Sequence, residues 1–268
     1  MQKPLILVTN DDGITAQGIR TLVEVAKMLG DVVVVAPDAP QSGMGHAITI
    51  ANPIRLHRVN IFEGVEASYE CSGTPVDCVK LAQNVVLRGR KVDLCVSGIN
   101  HGSNASINII YSGTLSAAME ASLEGIPSIG FSLLDYSHSA DFEPCKPFVK
   151  EIMQYVLQHG MEHGNLLNVN IPRLPMNEIK GIKVCRQADA RWVEEFVEAT
   201  DPRGQKYYWL TGRFVNEDHK PDTDIWALDN GYISIVPSMH DLTNYEALKA
   251  MKEMEEIMVE GRKIEVEG

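Results

Sequence analysis

Asp11 and Asp12 are neighbouring carboxylates in the segment Thr9-Asn10-Asp11-Asp12-Gly13, directly after the apolar run Leu5 to Val8. On an extended backbone adjacent side chains point to opposite sides. The tight turn that Gly13 permits lets both carboxylates converge on one hard cation. Acidic residues followed by glycine are also ordinary turn formers, so the segment gains its meaning from its company.

That company is three further loops, each leaving an apolar run. Ala36-Pro37-Asp38 leads into Gln41-Ser42-Gly43-Met44-Gly45-His46, where the glycines allow close backbone approach and Ser42 offers a hydroxyl. Serine oxygen completes a magnesium shell acceptably when carboxylates stand beside it. The loop also reads as a plain flexible connector, and His46 either orients substrate or caps the following strand. Ser97-Gly98-Ile99-Asn100-His101-Gly102-Ser103-Asn104 offers Asn100 as a neutral oxygen ligand and Asn104 as an amide donor to phosphate. His101 has no second His or Cys at ligand spacing, and a set dominated by oxygen donors favours magnesium, manganese or calcium over zinc. Tyr111-Ser112-Gly113-Thr114 runs into Leu115, Ala118 and Met119 at helical spacing, which places Ser112 or Thr114 at a helix N-terminus. Free N–H groups and the positive dipole end there attract an anion such as phosphate, although an N-cap serine is common without one.

The elements that must carry these loops follow the rhythm of a parallel sheet. Strands are predicted at Leu5 to Thr9, Val32 to Ala36, Val92 to Ser97 and Ser128 to Leu133. Helices are predicted near Ala16 to Leu29, Pro75 to Leu87, Gly113 to Leu123 and around Phe148 to Val156, the last closed by Gly160. Such alternation makes a doubly wound α/β fold, whose ligands bind at the carboxyl edge of the strands. All four polar loops should emerge there. Thr74-Pro75-Val76-Asp77 reads as a structural capping arrangement.

The doubly wound core is expected over residues 1–172, with residues 173–268 as an accessory region. In the latter, Ile182 to Cys185, Lys206 to Thr211 and Tyr232 to Val236 read as strands of antiparallel hairpins, and a helix is predicted from Tyr245 to Glu260. Leu248, Met251, Met254 and Met258 line one face of that helix, which either packs on another subunit or docks on its own domain.

A balance of 24 Lys+Arg against 36 Asp+Glu gives a net charge of −12, which disfavours a nucleic-acid polymer as partner. A small phosphorylated substrate stays open, because a cation and local amides supply the attraction. Cys71, Cys78, Cys95, Cys145 and Cys185 form no CxxC pair, and no apolar run approaches the roughly 20 residues of a membrane span. No targeting peptide is visible at the start. A cytoplasmic protein without membrane contact is expected.

These motifs resemble the SurE family of stationary-phase survival proteins, which are nucleoside 5′- and 3′-monophosphate phosphatases. The resemblance rests on Thr9 to Gly13, Ala36 to Asp38 with Ser42-Gly43, Gly73 to Val79, Ser97 to Asn100, Tyr111 to Thr114 and Gly231 to Ile235. It implies a Rossmann-like, mostly parallel sheet with a smaller C-terminal extension of β-hairpin and helix that exchanges between subunits, giving a homodimer or homotetramer. It also implies one divalent cation per subunit, Mg2+ or Mn2+, held by Asp11, Asp12, Ser42 and Asn100. Asp11, Asp12 and Asn100 are then the catalytic residues. Asn10, Ser42, Gly43, Asn104, Ser112, Gly113 and Thr114 make the substrate contacts. This chain departs from the family pattern at Ala105-Ser106-Ile107-Asn108, where many relatives carry a glycine and one or two acidic residues.

The expected activity is metal-dependent hydrolysis of nucleoside monophosphates. Alternatives are a broad-specificity acid phosphatase or exopolyphosphatase, and a non-catalytic nucleotide-binding sensor. A sensor would not need paired carboxylates, which repel phosphate without a metal between them. No G-x-G-x-x-G follows the first strand, which disfavours a dinucleotide.

Overall fold

Runs of aliphatic residues without polar interruption need cover on both faces, and the central strands of this chain have it. The computed structural model describes residues 3–137, 139–256, 258–259 and 262–263. β1 (Leu5–Thr9) is buried throughout; α1 (Gln17–Leu29) and β2 (Asp31–Pro37) follow. Next come β3 (Leu56–Val59), β4 (Ala67–Cys71), α2 (Pro75–Leu81), β5 (Leu94–His101) and α3 (Gly113–Leu123). β6 (Ser128–Leu133), α4 (Lys146–His159), β7 (Asn165–Ile171), β8 (Ile182–Val184), β9 (Ala190–Thr200) and β10 (Lys206–Asn216) lead to α5 (Asp224–Asp229). The chain continues through β11 (Ile233–Met239), α6 (Tyr245–Ala250), β12 (Met258–Val259) and β13 (Arg262–Lys263).

One nine-stranded sheet runs in the order β3-β4-β2-β1-β5-β6-β7-β11-β8. From β4 to β7 the strands are parallel, with β3 antiparallel at one edge. β11 runs antiparallel to β7 and parallel to β8. The period-two alternation of strand side chains divides the core into two layers. Ile6, Val8, Val32, Val34 and Val96 face one way, onto Ile19 and Leu22 of α1 and Val149 and Ile152 of α4. Leu5, Leu7, Val33 and Val35 face the other, onto Cys78 and Val79 of α2 and Ala117 and Ala121 of α3. Each such aliphatic side chain contributes about 1.5–3 kcal/mol by leaving water. The chain goes from β1 outward to β2 and then returns to β5 on the opposite side of β1, so the sheet's topological switch lies between β1 and β5. A crevice opens at such a point in open α/β sheets.

The expected α/β architecture with its parallel sheet is observed, and so is a small antiparallel hairpin, formed by β9 and β10. Two further segments read as hairpin strands behave differently. Ile182–Val184 and Ile233–Met239 extend the large sheet, and Ile233 to Val236 are buried on both faces, as an interior strand requires. β3 and β4 escape the sequence pattern because Leu56-His57-Arg58-Val59 and Ala67-Ser68-Tyr69-Glu70-Cys71 mix polar and apolar residues near an edge. The helix predicted to reach Glu260 is also shorter: α6 stops at Ala250 and a 3-10 segment covers Lys252–Glu256. Glu253 and Glu255 would stand toward the negative end of a longer helix dipole, which disfavours continuation. Met258 falls in a two-residue strand, while its side chain and residues 257 and 260 lie outside the described residues. No helix among the described residues is long and apolar enough to cross a membrane.

Candidate active site

The turn after β1 places Asp11 and Asp12 in the crevice at the switch point. Gly13 takes φ 92°, a backbone state that glycine adopts without cost. Asn10 turns inward, donating Nδ2 to the Gly13 carbonyl at 2.9 Å, and so braces the turn. At the end of β5 the pairing with β6 shifts register between Ser97 and Asn100, where Gly98 has φ 122° and the Gly98–Ile99 peptide is cis. A side chain at Gly98 would meet the Phe131 carbonyl oxygen at 2.3 Å. Such a bulge re-aims the residues beyond it. Asn100 donates Nδ2 to the carbonyls of His101 (3.1 Å) and Gly102 (3.0 Å), which leaves its Oδ1 as the atom available to a ligand.

These residues line one cavity of about 300 Å³, together with Ser42, Gly43, Asn104 and Ser112. Seven of the ten residues expected from sequence are thereby brought to one place. The other three lie behind it. Thr114 donates its hydroxyl to Asp11 Oδ1, Gly113 lies against the Asp11 side chain, and Asn10 is 1% exposed beneath them. Ser112 caps α3, its Oγ accepting from Leu115 N at 3.1 Å, so its own hydroxyl hydrogen stays free to donate.

The loop carrying Ser42 is fastened on both sides. Gln41 N donates to the Asp11 carbonyl at 2.8 Å and Gly45 N to the Tyr111 carbonyl at 3.1 Å. His46 does not reach the cavity; its Nε2 lies 2.9 Å from Oε2 of Glu120, whose other oxygen meets Lys80 Nζ. Burial alone would raise the Glu120 carboxyl, but these two hydrogen bonds outweigh it and hold the group ionised. Capping by Thr74 and Asp77 is reciprocal, as read from sequence, and Asp77 also accepts from Thr49 N on the same loop.

Electrostatically the site is a stressed pair. Burial, with the charge of Asp12 beside it, pushes the Asp11 carboxyl up from 3.8 to about 6, against the hydrogen bond from Thr114. Asp12 Oδ2 accepts from His101 N at 3.2 Å and lies 3.2 Å from His101 Nδ1. No lysine or arginine among the described residues lines the cavity. A hard cation fits this donor set: it would relieve the carboxylate repulsion, and Asp11, Asp12, Ser42 Oγ and Asn100 Oδ1 are all oxygen donors. No group of three or more His, Cys, Asp or Glu at metal-holding distance occurs among the described residues, as a set of two carboxylates with neutral oxygens implies.

A family model described as survival protein SurE matches residues 6–194. The chain belongs to the SurE family. The 5′-nucleotidase SurE of Christiangramia forsetii is 64% identical over 249 residues, which cover 92% of this chain and 95% of the relative. That of Flavobacterium psychrophilum is 59% identical over 251 residues, 94% of this chain and 97% of the relative. The crystal structure of a SurE protein from Aquifex aeolicus superposes with a TM-score of 0.81 at 42% identity, covering 94% of this chain and all of that one.

This SurE-family site also contains residues that sequence reasoning did not select. Asn104 is locked by an amide network: its N donates to Asn170 Oδ1 (2.8 Å), its Nδ2 to Ser132 Oγ (2.9 Å), and its carbonyl accepts from Asn168 Nδ2 (2.8 Å). Buried asparagines at alternate positions of β7 were the available signal. Asp224 accepts from Ser106 N (2.7 Å) and Ala188 N (3.0 Å), tying the 105–108 loop to the foot of the β9–β10 hairpin. Asn108, Tyr111, Tyr136 and Trp192 complete the cavity wall.

Proposed function

We propose that this chain is a metal-dependent phosphohydrolase that removes phosphate from nucleoside 5′- and 3′-monophosphates, using one Mg2+ or Mn2+ per subunit. Relatives named 5′-nucleotidase SurE at 59–64% identity over more than nine-tenths of the chain support the substrate class. The observation that carries the chemistry is the meeting of Asp11, Asp12, Ser42 and Asn100 in one cavity beside the N-terminus of α3.

When bound, the cation supplies Lewis-acid polarisation of the phosphoryl group and acidifies water. The chain's own groups do the rest. Water oxygen attacks phosphorus, the ester P–O bond breaks, and either Asp11 or Asp12 accepts the water's proton. The leaving nucleoside oxygen takes up a proton, giving alcohol and inorganic phosphate. The Ser112 hydroxyl, the Asn104 amide and the first N–H groups of α3 donate to the non-bridging oxygens as charge builds there. The amide network around Asn104 keeps that donor in place, so little reorganisation is needed during the reaction.

The same reading covers assembly and compartment. Leu248, Met251 and Met254, each more than half exposed, support a homodimer or homotetramer, and five free, buried thiols support a reducing cytoplasm. The test is phosphate release from AMP, 3′-AMP, a sugar phosphate and short polyphosphate, before and after chelation and with Mg2+ or Mn2+ restored. Cation-dependent release from the nucleotides is expected. A clear preference for polyphosphate, or full rate in chelator, would overturn the reading.

A further inference from the structure

The phosphate chemistry leaves part of the cavity lining unexplained. Tyr111, Tyr136 and Trp192 belong to that lining and are 49%, 73% and 40% exposed. Trp192 packs edge-to-face on Phe214 at 5.4 Å between ring centroids, and the three aromatic side chains leave apolar surface beside a polar crevice that a planar ligand would cover. The placement of Trp192 and Tyr136 is fixed. Trp192, near the start of β9, donates its indole N–H to Asn108 Oδ1 at 2.8 Å. The Asp224 carboxylate holds both the loop that bears Asn108, through Ser106 N, and the foot of the strand that bears Trp192, through Ala188 N. The Gly102 backbone sits so close to Tyr136 that a side chain there would lie 2.3 Å from the ring, and Ser103 N donates to the Tyr136 hydroxyl at 3.1 Å.

The indole bond occupies the oxygen of the Asn108 amide. Its nitrogen, with two hydrogens, donates to no protein group among the described residues. The geometry points to a nucleobase subsite in which a purine or pyrimidine ring stacks on Trp192, flanked by Tyr136 and Tyr111, while Asn108 Nδ2 donates to a ring nitrogen or carbonyl of the base. The base is neutral, so the chain's negative charge does not oppose it. Asn108 lies in the segment that departs from the family pattern, where an acidic side chain would lack these amide donors. The inference rests on the phosphohydrolase reading for the orientation of the ligand.

The test compares wild type with Trp192→Ala, Trp192→Phe and Asn108→Asp on AMP, CMP and ribose 5-phosphate. Trp192→Ala raises KM for both nucleotides roughly tenfold with kcat little changed, and leaves ribose 5-phosphate kinetics alone. Trp192→Phe, which keeps a stacking face, recovers most of the affinity. Asn108→Asp keeps the indole acceptor but loses the donor, so it weakens nucleotides without affecting ribose 5-phosphate. Adenosine, which has no phosphate, quenches indole fluorescence in wild type and fails to do so in Trp192→Phe. Equal losses on nucleotides and ribose 5-phosphate, or unchanged nucleotide KM, would refute the subsite. Absence of turnover by wild type on every substrate would instead defeat the phosphohydrolase reading, and adenosine quenching would still report on the subsite.

Discussion

Thr114 in the first turn of α3 donates its hydroxyl to Oδ1 of Asp11, a residue 103 positions earlier in the chain. The bond favours the ionised form of a carboxylate that burial and Asp12 both push toward neutrality. Thr114→Val keeps the shape and removes the donor. With Asp11 as the proposed cation ligand, divalent-cation affinity is expected to fall roughly tenfold or more, the usual effect of losing a hydrogen bond to a ligating group. Titration calorimetry with Mn2+ checks this, and unchanged affinity would show the bond to be irrelevant to the site.

The raised Asp11 carboxyl has a signed effect on stability. Because the folded protein holds this proton up to about pH 6 while the unfolded chain releases it near 3.8, the folded state binds more protons between those values. Stability in chelator therefore falls as pH rises through that window. Asp11→Asn has no proton to release there. Thermal unfolding of the two proteins in chelator should show the wild type losing ground to the variant from 3.8 to about 6, and Mg2+ should remove the deficit. Parallel pH curves would contradict the assignment.

Gly113 is the point where α3 presses on the acidic turn. A Cβ there would lie 2.7 Å from Asp11 Cβ and 2.9 Å from Asp11 Oδ2. Asp11 Cβ is fixed to its backbone, so Gly113→Ala should displace the carboxylate and also lower the melting temperature. Turnover is expected to drop by about a hundredfold, the scale of a one-ångström misplacement. Steady-state kinetics beside a melting curve decide it; retained kcat would mean that the turn relaxes freely.

At Gly18 the prediction concerns stability. A Cβ on this α1 residue would stand 1.9 Å from the Ile99 carbonyl oxygen, a backbone atom that cannot swing aside. Gly18→Ala is expected to destabilise the fold by about 1–3 kcal/mol or more, as overpacking does. Urea unfolding measures this directly, and a stability equal to wild type would show that α1 can lift away from β5.

Much of this arrangement was readable from residue type and spacing because the acidic turn, the serine loop and the asparagine loop each follow a strand with an unmistakable aliphatic run. A parallel sheet then brings them to one edge whatever the details of packing. Membership of the cavity was less readable for Asn10, Gly113 and Thr114: the side chains of Asn10 and Thr114 and the Cα of Gly113 pack around the Asp11 turn, so any contact with a ligand falls to the backbone N–H groups at the start of α3. His46 shows the same limit: its role depends on Glu120, 74 positions away. Trp192 and Asn108 meet across 84 positions through a hairpin whose docking no local pattern encodes. β8 and β11 were visible as strands, but their place in the large sheet follows from tertiary burial.

A cavity walled by two acids, with neither lysine nor arginine among its described residues, imposes an itinerary on its visitors. A dianionic nucleotide arriving alone meets repulsion both from the wall and from a molecule of net charge −12. On the proposed reading the ion loads first and the nucleotide second, and turnover is expected to be absent in ion-poor surroundings however much nucleotide is present.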